Sequence, residues 1–292
     1  MKKYSKEKLK FRRVITVLLG MVFTLVLIFG IVILNVSLRD RFDVYKEVND
    51  AFNVSDDIAQ NSTPIIVDNL VVGATYKNKW VSANKYYLKS TLKTDTEMCA
   101  YTKAGKAGTF KIRQVESVND SIYANTTYGN YMDEYFAIVS DNTNYALGLF
   151  SEKTEILEMD YNSVKGALGY YNIYNSSVKI NAVYDGYINA NCPVRIICAV
   201  SAQRGTFGGV YSTIIIAPLG GTPKILSYSY LKDLNNTEEF PIYNFEFLAD
   251  LNGDGNFEIV CREITEFNIN YSVYEQRNNE YYRVLSETIK GK

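Results

Sequence analysis

Histidine is absent from this 292-residue chain. Its absence removes Ser-His-Asp and Cys-His nucleophile systems, His-ligated zinc and histidine-based pH switching. Carboxylate chemistry remains. Tryptophan occurs once, at Trp80, and proline five times. Cysteine is sparse, limited to Cys99, Cys192, Cys198 and Cys261. The close C-x2-4-C pairs that structural zinc sites use are missing, so a four-cysteine zinc centre is not expected. An even cysteine count in an exported domain permits two disulfides, and free buried thiols are the equal alternative. Cys192 and Cys198 make poor partners for each other. Six residues of extended chain span roughly 20 Å, whereas a disulfide brings Cα atoms within about 7 Å. That argument requires Pro193 to lie in extended chain rather than in a turn.

An excess of one charge is also lacking from the total, with 31 basic and 32 acidic residues. The balance hides an asymmetry. Residues 1–13 hold Lys2, Lys3, Lys6, Lys8, Lys10, Arg12 and Arg13 against Glu7 alone. The remainder carries a net charge of −7. An acidic domain of that kind argues against nucleic acid as its partner and against a basic face for anionic lipid.

Between the two lies the longest uncharged stretch. Residues 14–34 contain no charged side chain, and the next charge is Arg39. About 20 apolar residues at 1.5 Å each cross a hydrocarbon core of ~30 Å, and a helix is the single-segment structure that satisfies its own backbone there. A cleaved signal peptide would have a shorter apolar region followed by small residues. Here the run is long, and Asn35-Val36-Ser37 is a poor cleavage site. The reading is an uncleaved signal anchor over 14–38. The positive-inside rule keeps the basic end cytoplasmic and exports the rest.

The exported part is rich in tyrosine, 25 in the whole chain, and in Val, Ile and Thr, which together favour strands. Phe42, Tyr45, Val48 and Phe52 recur at helical spacing, so 39–60 reads as a juxtamembrane helix or stalk, broken by Asn61-Ser62-Thr63-Pro64. Residues 65–77 read as strand, and 79–92 as a site for a short helix with Ser82 as N-cap. Further strands are expected at 97–102, 109–116, 121–126, 135–140, 145–150 and 155–159, and one or two helical turns at 163–170. Eight more strands follow at 178–184, 194–200, 211–217, 224–230, 243–249, 258–264, 269–274 and 281–285. Their connections are short, which requires antiparallel pairing. Two four-stranded meanders fit. The fold class is therefore mainly β, arranged as meander sheets, propeller-like or as two small β domains.

One motif carries chemistry. Asp250, Asn252 and Asp254 place oxygen side chains at positions one, three and five of a loop. Gly255 permits a sharp turn, Asn256 offers its backbone carbonyl, and Glu258 is the carboxylate at position nine. Calcium takes six to eight such oxygens. Position twelve is Cys261 rather than the bidentate Glu of an EF-hand, and the flanks 245–249 and 257–260 read as strands. An empty Asn/Asp/Gly-rich hairpin turn is the competing reading. The segment resembles the calcium loops of FG-GAP and integrin-type (VCBS-like) repeats, D-x-[DN]-x-D-G-x-x-[DE] running into an apolar strand. The resemblance covers about 12 residues. It implies Asp250, Asn252, Asp254, Asn256 and Glu258 as calcium ligands. The whole chain looks like a bacterial membrane-anchored protein. The glycine-rich Gly205–Gly209 segment opens a strand rather than a helix, which disfavours phosphate binding.

These readings divide the chain into a cytoplasmic stub (1–13), a transmembrane signal anchor (14–38), a juxtamembrane stalk (39–63), a β-rich region (64–160) and an antiparallel β region with the loop (161–292). The expected function is a membrane-anchored extracytoplasmic module that binds an envelope glycan or protein, with calcium stabilising one hairpin. The alternative is a carboxylate-dependent envelope hydrolase, for which Asp133-Glu134 and Glu238-Glu239 are the adjacent acid pairs. A glycosidase would need facing carboxylates about 5–9.5 Å apart. The topology is directly testable. A reporter active only outside the cytoplasm, fused after Lys292, is expected to be active, and an inactive fusion refutes the anchor.

Overall fold

The computed structural model describes residues 46–47, 62–82, 92–103, 105–118, 121–126, 135–139, 147–171, 173, 177–201, 210–231 and 240–290. The expected stub and anchor, 1–38, lie outside the described residues. So does the stalk except for Lys46–Glu47, which pairs as a strand, and 62–63. Among the described residues no helix is long and apolar enough to cross a membrane. All of them belong to one compact unit, Tyr45–Lys292.

The chain is mainly β, as its composition requires. The elements in order are β1 (Lys46–Glu47), β2 (Thr63–Val67), β3 (Leu70–Tyr76), β4 (Lys79–Ser82), β5 (Glu97–Thr102), β6 (Gly105–Val118), β7 (Ser121–Thr126), β8 (Tyr135–Val139), β9 (Phe150–Glu152), α1 (Glu158–Tyr170), β10 (Val178–Asn189), β11 (Cys192–Ser201), β12 (Val210–Pro218), β13 (Lys224–Leu231), β14 (Ile242–Ala249), β15 (Glu258–Ile264), β16 (Asn268–Arg277) and β17 (Glu280–Lys290). The pairing is antiparallel except between β1 and β17, which run parallel.

Two-residue hairpins set much of the register. Asp68-Asn69, Lys77-Asn78 and Asn278-Asn279 all take positive φ at both positions. This is the turn whose twist matches that of the flanking strands, and Asn tolerates it best after glycine. The strand read continuously over 65–77 is therefore two strands, β2 and β3, folded back at Asp68-Asn69.

The strand read over 155–159 is corrected. It is a loop that runs into α1, because Asp160 is fully buried and its Oδ2 accepts the Leu157 N–H at 2.8 Å. That bond satisfies one of the amide donors a helix start leaves free. The helical turns read over 163–170 belong to this longer helix. Residues 79–82, where a helix seemed possible, form β4 instead.

Three sheets build the unit. Strands β2-β8-β5-β6-β7-β3 close on themselves through the β2–β3 pairing, and β4 extends from β3. The second sheet runs β1-β17-β16-β15-β14, and the third β13-β12-β11-β10-β9. Strands β10–β13 and β14–β17 are the two four-stranded meanders that the sequence led us to expect.

The alternation of side chains assigns the layers. On β2 and β3, Ile66, Val71 and Ala74 join Met98, Phe110 and Ile122 inside the closed sheet. Ile65, Val67, Leu70 and Val72 point the other way, onto Phe247, Val260, Val273 and Leu285 of the second sheet. That sheet is buried on its opposite face as well, where Phe245, Leu248 and Ile259 meet Ile196, Cys198, Ile214 and Leu226 of the third sheet. Helix α1 covers part of the outer face of the third sheet, against β10–β13. Pro193 lies within β11 opposite Tyr187, so the chain from Cys192 to Cys198 is extended, and all four cysteines are free.

Phe245 and Phe247 are two residues apart yet serve opposite cores. A bulge between them shifts the phase of the strand, as an extra residue in a ladder does. The extra residue, Glu246, is buried and ion-paired with Arg262 at 2.9 Å and Lys103 at 3.2 Å. Phe247 is fully buried and meets Phe136 edge-on with ring centroids 5.1 Å apart. Phe247→Ala is therefore expected to cost about 3–5 kcal/mol, whereas Ile242→Ala, at a half-exposed position of the same strand, should stay within about 0.5 kcal/mol. Equilibrium denaturation of the two variants measures both.

Candidate functional site

Strand β14 ends at Ala249, which pairs with Glu258 at the start of β15. The loop 250–257 is thus clamped at both ends. Gly253 and Gly255 take φ of 78° and 88°, a region that disfavours residues with a Cβ. The Asp250 carboxylate fills the loop. Its Oδ1 accepts the N–H of Gly253 at 2.7 Å and of Asp254 at 3.1 Å, and its Oδ2 accepts that of Gly255 at 3.0 Å. Asn252 Oδ1 accepts the Asp254 N–H at 2.9 Å, and Asp254 Oδ1 accepts the Asn256 N–H at 2.8 Å. The alternating acidic and amide residues thus form successive side-chain turns, each mimicking a backbone turn.

Glu258 closes the base of the loop. It is fully buried. Its Oε2 accepts the Leu251 N–H at 2.7 Å, while Oε1 is buried with no hydrogen-bond partner. A dry carboxylate oxygen without a partner is costly to keep ionised. Burial pushes the Glu258 carboxyl well above the usual range, the Leu251 N–H offsets part of this, and Asp254 and Asp250 add to it. Burial also raises Asp250, against the N–H groups of Gly255 and Gly253.

Of the five residues expected as ligands, Asp250, Asn252 and Glu258 are buried and Asp254 is exposed. Asp254 has both oxygens engaged by donors of the loop itself, the second by Asn252 Nδ2 at 3.2 Å. Among the described residues no three His, Cys, Asp or Glu side chains stand gathered as a metal-ligand set. The chemistry nevertheless fits calcium. The side-chain donors turned on the loop are oxygens, the choice of a hard cation, and a cation at Oε1 would give Glu258 its missing partner. The loop also reaches the third sheet, where the Phe257 N–H donates to Ile188 O at 2.6 Å and Asn189 Nδ2 to Asn256 Oδ1 at 3.4 Å.

The acid pairs Asp133-Glu134 and Glu238-Glu239 and the segment Gly205–Gly209 lie outside the described residues. A second polar cluster has no linear motif. Arg195 on β11 donates to Asp185 through Nε at 2.8 Å and Nη2 at 3.4 Å, and to buried Asp160 through Nη1 at 2.9 Å. Lys153 pairs with Asp185 at 3.0 Å. Burial tends to raise the Asp185 carboxyl, but the hydrogen bonds from Arg195 and Lys153 outweigh it and leave its pKa lowered. Residues far apart in sequence supply this cluster, and only the fold of α1 onto β10 and β11 joins them. The one signal in the sequence is a charged residue placed among the apolar positions of β11.

No family model, curated protein or solved structure matches this chain.

The raised Glu258 pKa has a definite consequence for stability. With metal chelated, the folded state holds a proton that the unfolded state has already lost, so stability falls as pH rises from the ordinary glutamate value through the folded one. Glu258→Gln is isosteric, is not ionised at any pH, and retains an oxygen for Leu251. It should flatten that fall and stabilise the chelated protein at neutral pH. Denaturation midpoints in EDTA across that pH range test both.

Proposed function

We infer that the chain is a membrane-anchored extracytoplasmic binding module in which one calcium ion stabilises the loop 250–258. The observation that carries the ion is the buried, partnerless Oε1 of Glu258 at the base of a loop lined by Asp250, Asn252 and Asp254. The resemblance of this loop to FG-GAP and integrin-type (VCBS-like) calcium loops supports the same reading. So does its position between consecutive antiparallel strands of a meander. Asp250, Asn252, Asp254, the Asn256 carbonyl and Glu258 would hold the ion. The anchor rests on the uncharged run 14–34 and the basic flank before it, which place the bilayer at 14–38 and the folded unit outside. The absence of histidine, and with it of a visible nucleophile system, favours binding over nucleophilic catalysis, with an envelope glycan or protein as partner.

Calcium that binds only the folded state stabilises it by RT ln(1 + [L]/Kd). Extracellular modules bind with Kd on the order of 10⁻⁴–10⁻³ M, so ten times that concentration adds about 1.4 kcal/mol, or a few degrees. Thermal melts in EDTA and in millimolar calcium should differ by that amount. Asp254→Ala should remove the difference, whatever the EDTA curve itself loses with the hydrogen bonds from Asn252 and Asn256. Coincident melts, with no heat of binding in calorimetry, would show that 250–258 is only a turn.

A further inference from the structure

The β10–β11 hairpin lies against the loop 250–257, and two hydrogen bonds join them. The Phe257 N–H donates to Ile188 O at 2.6 Å, and Asn189 Nδ2 donates to Asn256 Oδ1 at 3.4 Å. Both connect the second sheet to the third, because Ile188 and Asn189 end β10 while Phe257 leads into β15. Packing fixes the same residue. The Phe257 side chain packs against the core between these two sheets, and a Cβ on Gly148 would lie 3.1 Å from its Cγ. Gly148 is itself tied to β14, where its N–H donates to Leu248 O at 2.7 Å.

The Asn256 carbonyl and the Phe257 N–H belong to one peptide unit. That unit is planar and trans, so the two groups point in opposite directions on one rigid plate. The carbonyl is a candidate calcium ligand, and the N–H makes the bond to Ile188. A cation on the carbonyl oxygen polarises the amide and strengthens its N–H as a donor, as chains of hydrogen bonds polarise one another in a low dielectric. A second connection runs through side chains. Asp254 Oδ1 accepts the Asn256 N–H at 2.8 Å and Asn256 Nδ2 at 3.2 Å. The same Asn256 amide accepts from Asn189, and Asn189 Oδ1 accepts the Asn191 N–H at 3.0 Å within the hairpin. An unbroken series of bonds therefore leads from a candidate ligand of the ion to the turn of the third sheet.

We infer that calcium in the loop fastens the second sheet to the third, locking the Asn256–Phe257 peptide unit on Ile188 and the Asn256 side chain on Asn189, and so holds the β10–β11 hairpin closed. The inference rests on the calcium reading of the loop, which the partnerless Glu258 Oε1 carries, and extends the reach of the ion to a neighbouring sheet. Opening the hairpin breaks the Phe257–Ile188 bond and frees the peptide unit that the ion holds. Local openings of this kind set the rate of amide exchange. An opening that releases the ion becomes rarer by the factor 1 + [L]/Kd, about tenfold at ten times Kd.

The test is hydrogen exchange of the full chain in phosphatidylcholine nanodiscs, read by mass spectrometry in EDTA and in calcium at ten times Kd. Peptides from 250–258 and from 186–193 should both exchange more slowly in calcium, the second by about tenfold. The ends of β6 and β7 at Val118 and Ser121, which pair in the closed sheet, should exchange alike in both buffers. Asn189→Ala should reduce the calcium response of the hairpin a few-fold, the loss expected for one hydrogen bond, while the loop keeps its own response. The readout is the ratio of rates in the two buffers, since a purely structural role for Asn189 would speed exchange equally in both. A slowed loop beside an unchanged hairpin would overturn the fastening and leave calcium binding intact. An undiminished hairpin response in Asn189→Ala would overturn the link through Asn189. No slowing in either segment, with no heat of binding in calorimetry, would overturn the fastening together with the calcium reading.

Discussion

The sheet β14–β17 is buried on both faces, and the layered arrangement depends on that. One face closes the core shared with the closed sheet, and the other closes the core shared with β10–β13. A strand in that position needs apolar residues on both sides, and a strict period of two would give β14 only one aromatic face. The bulge at Glu246 resolves this by turning Phe245 to one core and Phe247 to the other. The cost is a buried carboxylate, which Arg262 and Lys103 neutralise. Losing one partner would leave a buried uncompensated charge, a larger penalty than the pair's own net contribution.

The same strand carries the candidate ion site at its end. Ala249 packs in the core beside Phe247, and Asp250 begins the loop one residue later. The loop is therefore held by packed strands rather than by its own hydrogen bonds alone. Holding Glu258 in the sheet is what leaves Oε1 dry. A freely moving hairpin would turn that oxygen to water, and its pKa would be ordinary. Leu248 also ties β14 to β10, since a Cβ on Gly186 would lie 2.6 Å from its Cδ1.

Much of the strand pattern was legible because tyrosine and β-branched residues alternate between turn clusters. The two meanders could be read as strands at 178–184 through 281–285, with short connections. The closed sheet could not. Its closure depends on β2 pairing with both β3 and β8, a fact of three dimensions that no local period encodes. Doubly buried β2 and β3 read as one apolar run, since Asp68-Asn69 is a weaker turn signal than Asn-Gly. The region at 155–159 misled because Ile156, Leu157 and Met159 look strand-like, while the helix start depends on Asp160 meeting Arg195 from 35 residues away. The oxygen ladder of 250–258 was legible because it is local. The Arg195 cluster was not, since Lys153, Asp160, Asp185 and Arg195 come from separate stretches of the chain.

Strand β17 lies between a strand from the start of the unit and one from its end, with β1 on one side and β16 on the other. It also contacts β3, β4 and β7, and Leu285 fills the space beside Gly73. The last strand of the unit is therefore the one on which its first strands close. Contacts of that sequence separation form late, because a long loop must be closed before they are made. While the chain is still being made, the apolar faces of β2 and β3 that will meet Leu285 have nothing to cover them. Until β17 is in place, those faces leave the unit exposed to aggregation and to proteases.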